Sequence, residues 1–211
     1  MGKQAHGKTT IINLINRFYE IQKGEILLDG VNIKEINLRY LREKVGIVLQ
    51  DPFIFANTIK KNIELSEAMS NEVIEETIKL ANADDFIKTL PNGIDEVASE
   101  RGSSFSAGQK QLIAFARIFA HYPSIFILDE ATANIDTKTE ELIQASIDKI
   151  SKEKTSIFIA HRLSTIINVD KIIVLSNGEI IEQGSHSELM KNEDGYYSKL
   201  YNAYYTNLIS E

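Results

Sequence analysis

Residues Gly2-Lys3-Gln4-Ala5-His6-Gly7-Lys8-Thr9, with Thr10 behind them, place two glycines, a lysine and a hydroxyl at the G-x-x-x-x-G-K-[ST] spacing. A loop of this kind turns backbone N–H groups toward phosphate oxygens, and the helix it opens adds positive potential at the same point. Lys8 would reach the terminal phosphates of a nucleotide, and the Thr9 hydroxyl would ligate Mg²⁺. Far along the chain, four apolar residues from Ile125 to Leu128 lead into Asp129 and Glu130. A buried strand that ends this way delivers its carboxylates to the edge of a sheet where ligands bind in open α/β folds. Asp129 could then hold Mg²⁺ through water, and Glu130 could orient and deprotonate an attacking water. Each motif alone also has a plain alternative: a glycine-bearing helix cap with a basic residue, and a strand ending in two solvated acids.

Further polar residues sit at element ends. Gln50 follows the apolar Val45–Leu49 and precedes Asp51-Pro52, where an amide can touch Mg²⁺ or a water; it also suits an ordinary strand terminus. Ser106-Ala107-Gly108-Gln109 opens a helical pattern, with Ser106 as its cap. His161 follows Phe158-Ile159-Ala160, and a neutral imidazole there can donate to a phosphate or simply cap the strand. His6 either meets phosphate or fills a variable loop position. His121 and His186 read as surface or capping residues. What decides is the order: phosphate loop, Gln50, Ser106–Gln109, Asp129-Glu130, Asp136 and His161 occur in one chain, each at a strand end or a helix start.

The elements that position them follow from periodicity. Helical spacing covers 8–17, a short strand 25–28 runs into the Asp29-Gly30 turn, and a helix over 38–44 feeds the strand 45–49. Residues 58–90 are helical, with Ser70 or Asn71 as a cap and Pro91-Asn92-Gly93 as a break. The Ser106 helix carries an apolar face of Leu112, Ile113, Phe115, Ala116, Ile118 and Phe119. Strands then alternate with helices: 125–128, 137–150, 155–160, 162–168, and 171–175 turning at Asn177-Gly178 into 179–182. Helices over 185–191 and 195–207 close the chain. Such alternation implies an α/β fold with a mostly parallel sheet covered on both faces.

Composition sets outer bounds. The 211 residues suffice for one core with a subdomain. A net charge of -7 argues against nucleic acid as the main partner. Cysteine is absent, so neither a disulfide framework nor a thiolate metal site is available. No apolar run approaches the ~20 residues of a membrane span.

With these motifs in this order, the chain resembles the nucleotide-binding domain of ATP-binding cassette (ABC) transporters over essentially its whole length. Gly2–Thr10 looks like the Walker A loop, Gln50 the Q-loop, Ser106–Gln109 the signature, Ile125–Asp129 the Walker B strand, Ala133–Asp136 the D-loop and His161 the switch histidine. Leu49–Phe55 with Thr58-Ile59, Glu100-Arg101-Gly102, the stretch 161–165 and the stretch 178–186 resemble the exporter branch, whose membrane helices precede the cassette in one polypeptide.

The resemblance implies a P-loop NTPase sheet, residues 1–57 and 112–211, with an inserted all-helical signature subdomain, 58–111. It implies ATP and Mg²⁺ as ligands. Glu130 would be the general base, with Lys8, Thr9, Asp129, Gln50 and His161 serving phosphate or metal. A second cassette would dock head to tail, so that Ser106–Gln109 meets the partner's ATP. Gln50 and Glu100–Gly102 would face a membrane domain on the cytoplasmic side of the cell membrane, with no nucleic acid involved.

Two departures bear on this expectation. The family's antiparallel β part, the strand before the phosphate loop and an adenine-stacking aromatic precede the loop, whereas this chain starts at it, so the cassette is expected to be incomplete at its N-terminus. Ala5 also stands where the family usually has glycine, and Gln4 and His6 are bulky. One alternative is therefore a cassette that donates its signature to a partner's ATP without hydrolysing well itself. A remoter one, a soluble ABC ATPase of DNA repair or translation, is opposed by Glu100–Gly102, Gln50–Phe53 and the acidic charge. The transported substrate is not encoded in these residues.

Overall fold

In the computed structural model, residues 7–129, 135–152, 154–159 and 166–209 are described. Two compact units emerge, one of residues 27–157 and one that joins 1–26 to 158–211.

The larger unit is organised on helix α6. Its elements in order are strands β1 (Leu27–Leu28) and β2 (Val31–Asn32), helix α2 (Leu38–Lys44), strand β3 (Val45–Val48), helices α3 (Ile59–Glu64), α4 (Asn71–Leu80) and α5 (Asp84–Lys88), helix α6 (Ala107–His121), strand β4 (Ile125–Asp129), helix α7 (Thr137–Ser151) and the start of strand β5 (Thr155–Ile159). Strands β1 and β2 form a tight antiparallel pair whose turn residues, Asp29 and Gly30, both have positive φ. That is the geometry two-residue hairpins prefer. The expected strand over 25–28 is shorter than its apolar run.

Strands β3 and β4 are parallel, in register from Val45 opposite Ile125 to Val48 opposite Leu128, and β5 lies on the other side of β4. Helix α6 packs against β3, α3, α4 and α7. Every residue of its expected apolar face is buried, with Phe115 tilted on Phe126 at 6.0 Å between ring centroids. Fully burying such a side chain is worth about 1.5–3 kcal/mol, so this one helix anchors the unit.

The helical block between β3 and α6 is three short helices rather than a longer run. Helix α3 ends at Leu65, in a positive-φ conformation, and α4 begins at the Ser70 cap, whose hydroxyl accepts from the Val73 N–H. Turns Gly93–Asp95 and Glu100–Gly102 are 3₁₀, and Thr58 bridges Val97.

The smaller unit holds α1 (Lys8–Ile15), the antiparallel hairpin of β6 (Ile172–Ser176) and β7 (Glu179–Gly184), α8 (His186–Met190) and α9 (Tyr196–Ile209). The hairpin turns at Asn177-Gly178, both at positive φ. Ile172, Leu189 and Tyr197 form its core, flanked by Val174, Met190 and Tyr201. The helix expected over 162–168 falls largely outside the described residues; 166–168 form a turn.

Candidate functional site

Gly7 caps helix α1 with φ 87° and ψ -2°, a left-handed conformation that strains any residue with a Cβ. Its carbonyl accepts from the Ile11 N–H at 3.1 Å, so the helix begins at once and its first-turn amides point out of its N-terminal end. Thr9 and Thr10 are exposed and Lys8 is half-buried. These are the donors that a phosphate at a helix N-terminus requires. The loop residues Gly2, Lys3, Gln4, Ala5 and His6 lie outside the described residues.

In the larger unit the parallel register does the positioning. Because Val48 stands opposite Leu128, Leu49 and Gln50 leave the sheet beside Asp129, at the C-terminal ends of adjacent strands. Asp129 and the Leu49-Gln50 segment therefore both follow the C-terminal end of the same parallel ladder. The Gln50 side chain is exposed there, and Asp129 is half-buried. Glu130, the expected base, and His161 lie outside the described residues.

Ser106 begins α6 with a reciprocal cap. Its Oγ accepts from the Gln109 N–H at 3.2 Å, and Gln109 Oε1 accepts from the Ser106 N–H at 2.9 Å. The Lys110 N–H goes to the Ser106 carbonyl. The Ser106 hydroxyl proton and the Ala107 and Gly108 amides remain without partners among the described residues, which fits a phosphate arriving at this end. Gly108 has a second constraint. A Cβ there would collide with Thr139 Cγ2 and sit 3.2 Å from Ile135, so only glycine lets α6 approach α7 this closely.

Asp136 caps α7, accepting from the Thr139 N–H at 3.0 Å. Hydrogen bonds from Thr139 hold its carboxyl below the usual range. The structure thus brings Ser106–Gln109 and the Asp136 loop together through Gly108.

Two side chains that periodicity did not single out tie the segment after β3 to α6. Gln111 donates to the Leu49 and Gln50 carbonyls at 3.2 and 3.1 Å. Arg117 donates to the Asn62 carbonyl at 2.8 Å and to the Phe53 carbonyl at 3.4 and 3.3 Å. The segment they hold presents Phe53 and Phe55, each about half exposed, in an edge-to-face pair at 4.9 Å. Ile54 between them is fully buried and packs close to Gly102 of the Glu100–Gly102 turn. His121 and His186 are structural, paired with the Ile63 carbonyl and the Tyr197 hydroxyl.

Comparison with known proteins settles the family. The family described as ABC transporter matches residues 1–133. This chain belongs to the ABC transporter family. Streptococcus pneumoniae exp8, by name an ABC transporter ATP-binding protein, is 50% identical over 201 residues, 95% of this chain and 34% of that protein. Bacillus subtilis YheH, by name a multidrug resistance ABC transporter ATP-binding/permease protein, is 48% identical over 93% of this chain and 29% of its own length. A solved bacterial Atm1-family ABC exporter with ATP bound superposes with a TM-score of 0.87 at 41% identity, covering 94% of this chain and 35% of that one. The chain therefore spans about a third of the length of these three relatives. Its mixed α/β architecture is that of an ABC-type P-loop NTPase. Membership in the family implies nucleotide binding. No described helix is long and apolar enough to cross a membrane.

Proposed function

We propose that this cassette binds and hydrolyses ATP to drive export through a membrane domain, paired head to tail with a second cassette. The observation that supports the reading is the β3–β4 register, in which Leu49-Gln50 and Asp129 follow the paired Val48 and Leu128 at the C-terminal ends of adjacent parallel strands in a chain from this family. Lys8, the amides opening α1 and the Thr9 hydroxyl would hold phosphates and Mg²⁺, with Asp129 and Gln50 completing the metal's surroundings. Bound Mg²⁺ would neutralise charge developing on the transferred phosphoryl group. Glu130 would take the proton of the attacking water, and His161 would donate to the γ-phosphate. The Ser106 hydroxyl proton and the Ala107 and Gly108 amides would serve the partner's ATP, and Asp136 would hold the adjoining loop.

In this reading 58–111 form the helical signature subdomain and 1–57 with 112–211 the nucleotide core. Gln50, the Phe53–Phe55 segment and Glu100–Gly102 would meet the membrane domain. The rival reading, a cassette that only donates its signature, gains no support from the described residues.

Turnover by the transporter carrying this cassette tests the assignment. Glu130→Gln is expected to lower kcat by at least about 100-fold, the usual contribution of a general base, while ATP binding persists. Unchanged turnover would remove Glu130 from this role.

A further inference from the structure

Gln111 is fully buried, at 1% exposure, which is unusual for glutamine. It stands in the second turn of α6, on the helix that Ser106 caps. Its Nε2 donates to the carbonyls of Leu49 and Gln50. Both partners only accept, so the amide has one possible orientation: the flipped form would set its oxygen against two carbonyl oxygens. In the orientation that remains, Oε1 is buried with no hydrogen-bond partner among the described residues.

An unpaired buried acceptor destabilises a fold. Judged as packing alone, glutamine is therefore a poor choice, since an apolar side chain of equal length would fill the space without that cost. What glutamine adds is its hold on two carbonyls, and those carbonyls occupy a particular place. Strand β3 ends at Val48, so Leu49 and Gln50 lie beyond the described ladder with β4. The Gln50 side chain is exposed and makes no hydrogen bond of its own among the described residues. Gln111 thus sets where the Gln50 side chain starts, and it does so from the helix that Ser106 caps.

We infer that Gln111 is a positioning residue for ATP hydrolysis, acting through Gln50. It locks the Gln50 backbone to α6, so that the amide stays beside Asp129 and shifts only as the Ser106 end of that helix shifts. The inference rests on the reading of Gln50 as a residue of the catalytic site.

A double-mutant cycle on the ATPase activity of the transporter carrying this cassette tests it. Gln111→Met keeps the length of the side chain and removes the orphaned oxygen, at the cost of leaving the Leu49 and Gln50 carbonyls without this donor, so the thermal midpoint is measured beside turnover and only a modest fall is expected. Gln111→Leu is a second apolar replacement should methionine fit badly. For either variant kcat is expected to fall about tenfold, as for one or two lost hydrogen bonds, with KM for ATP nearly unchanged. Gln50→Ala should fall at least as far, and adding Gln111→Met to Gln50→Ala should cost nothing more. A multiplicative fall in the double variant would overturn the inference, because Gln111 would then act independently of Gln50. Parental turnover in Gln111→Met, with Gln50→Ala impaired, would overturn it as well. Turnover indifferent to Gln50→Ala would remove the reading of Gln50 itself, and this inference with it.

Discussion

Arg117 is a half-buried cation without a carboxylate partner among the described residues, and its partial desolvation pushes its guanidinium down to about 10. It stays charged at neutral pH, solvated by the carbonyls of Asn62 and Phe53. Asn62, fully buried, accepts from the Phe55 N–H at 2.8 Å and donates to the Phe55 and Thr58 carbonyls at 3.0 Å each. These two side chains stand in for the ladder that the irregular 53–58 segment lacks. Asn62→Ala strands a buried N–H and carbonyls and should cost about 2–3 kcal/mol in urea unfolding. Arg117→Met also orphans carbonyls but removes a partly desolvated charge, so about 1–2 kcal/mol is expected. The opposite ranking would show that the charge, not the amide, secures the segment. Neither residue was legible in the sequence. Periodicity placed Phe115 and Ile118 inward and left Arg117 outside the apolar face, and nothing local links it to Phe53, 64 residues away.

Helix starts and tight turns are written locally, and these the sequence shows. Ser106 caps the helix expected of it, Ser70 rather than Asn71 caps α4, Ser185 caps the helix expected to start at it, and Asn177-Gly178 turns the β6–β7 hairpin. Breaks made by ordinary residues are hidden, because Leu65, Asn82 and Arg101 take positive φ under tertiary packing rather than by propensity. Buried acids were hidden for the same reason. Glu64, 2% exposed in its side chain, is paired with Lys61 at 2.8 Å and also accepts from the Met69 N–H. The lysine and that N–H hold its carboxyl below the ordinary value of 4.5. Asp136 and Glu188 are lowered in the same direction by the N–H groups they cap. A folded-state value below the unfolded one adds stability above the unfolded value, and this is lost as pH falls through the folded one. The thermal midpoint should therefore hold from neutrality to about pH 5 and drop below it. Glu64→Gln should lower the neutral plateau and flatten the acid limb in the same pH series. An acid limb as steep as the parent's would show that Glu64 is not part of it.

At the scale of the molecule, each unit has its own apolar core, so each can lose structure separately. In the smaller unit, Tyr197 is 2% exposed and packs with Ile172 and Leu189, while His186 Nδ1 lies 2.8 Å from its hydroxyl. The Glu182 carboxylate of β7 accepts from the Tyr196 and Tyr197 N–H groups at 2.8 Å each, capping α9 from the hairpin. Helix α9 is thus both the lid of this core and the donor of its buried polar contacts. Tyr197→Ala removes the ring and leaves the His186 bond unmade, a change of about 3–5 kcal/mol by comparison with other aromatic truncations. Its effect should stay local in hydrogen exchange. Amides of β6, β7 and α8 should lose protection, whereas those of α6 and the β3–β4 ladder, anchored on Phe115 and Phe126, should keep theirs. Equal loss in α6 would mean that the two units unfold as one, and that the ends of the chain set the stability of the helix that carries Ser106.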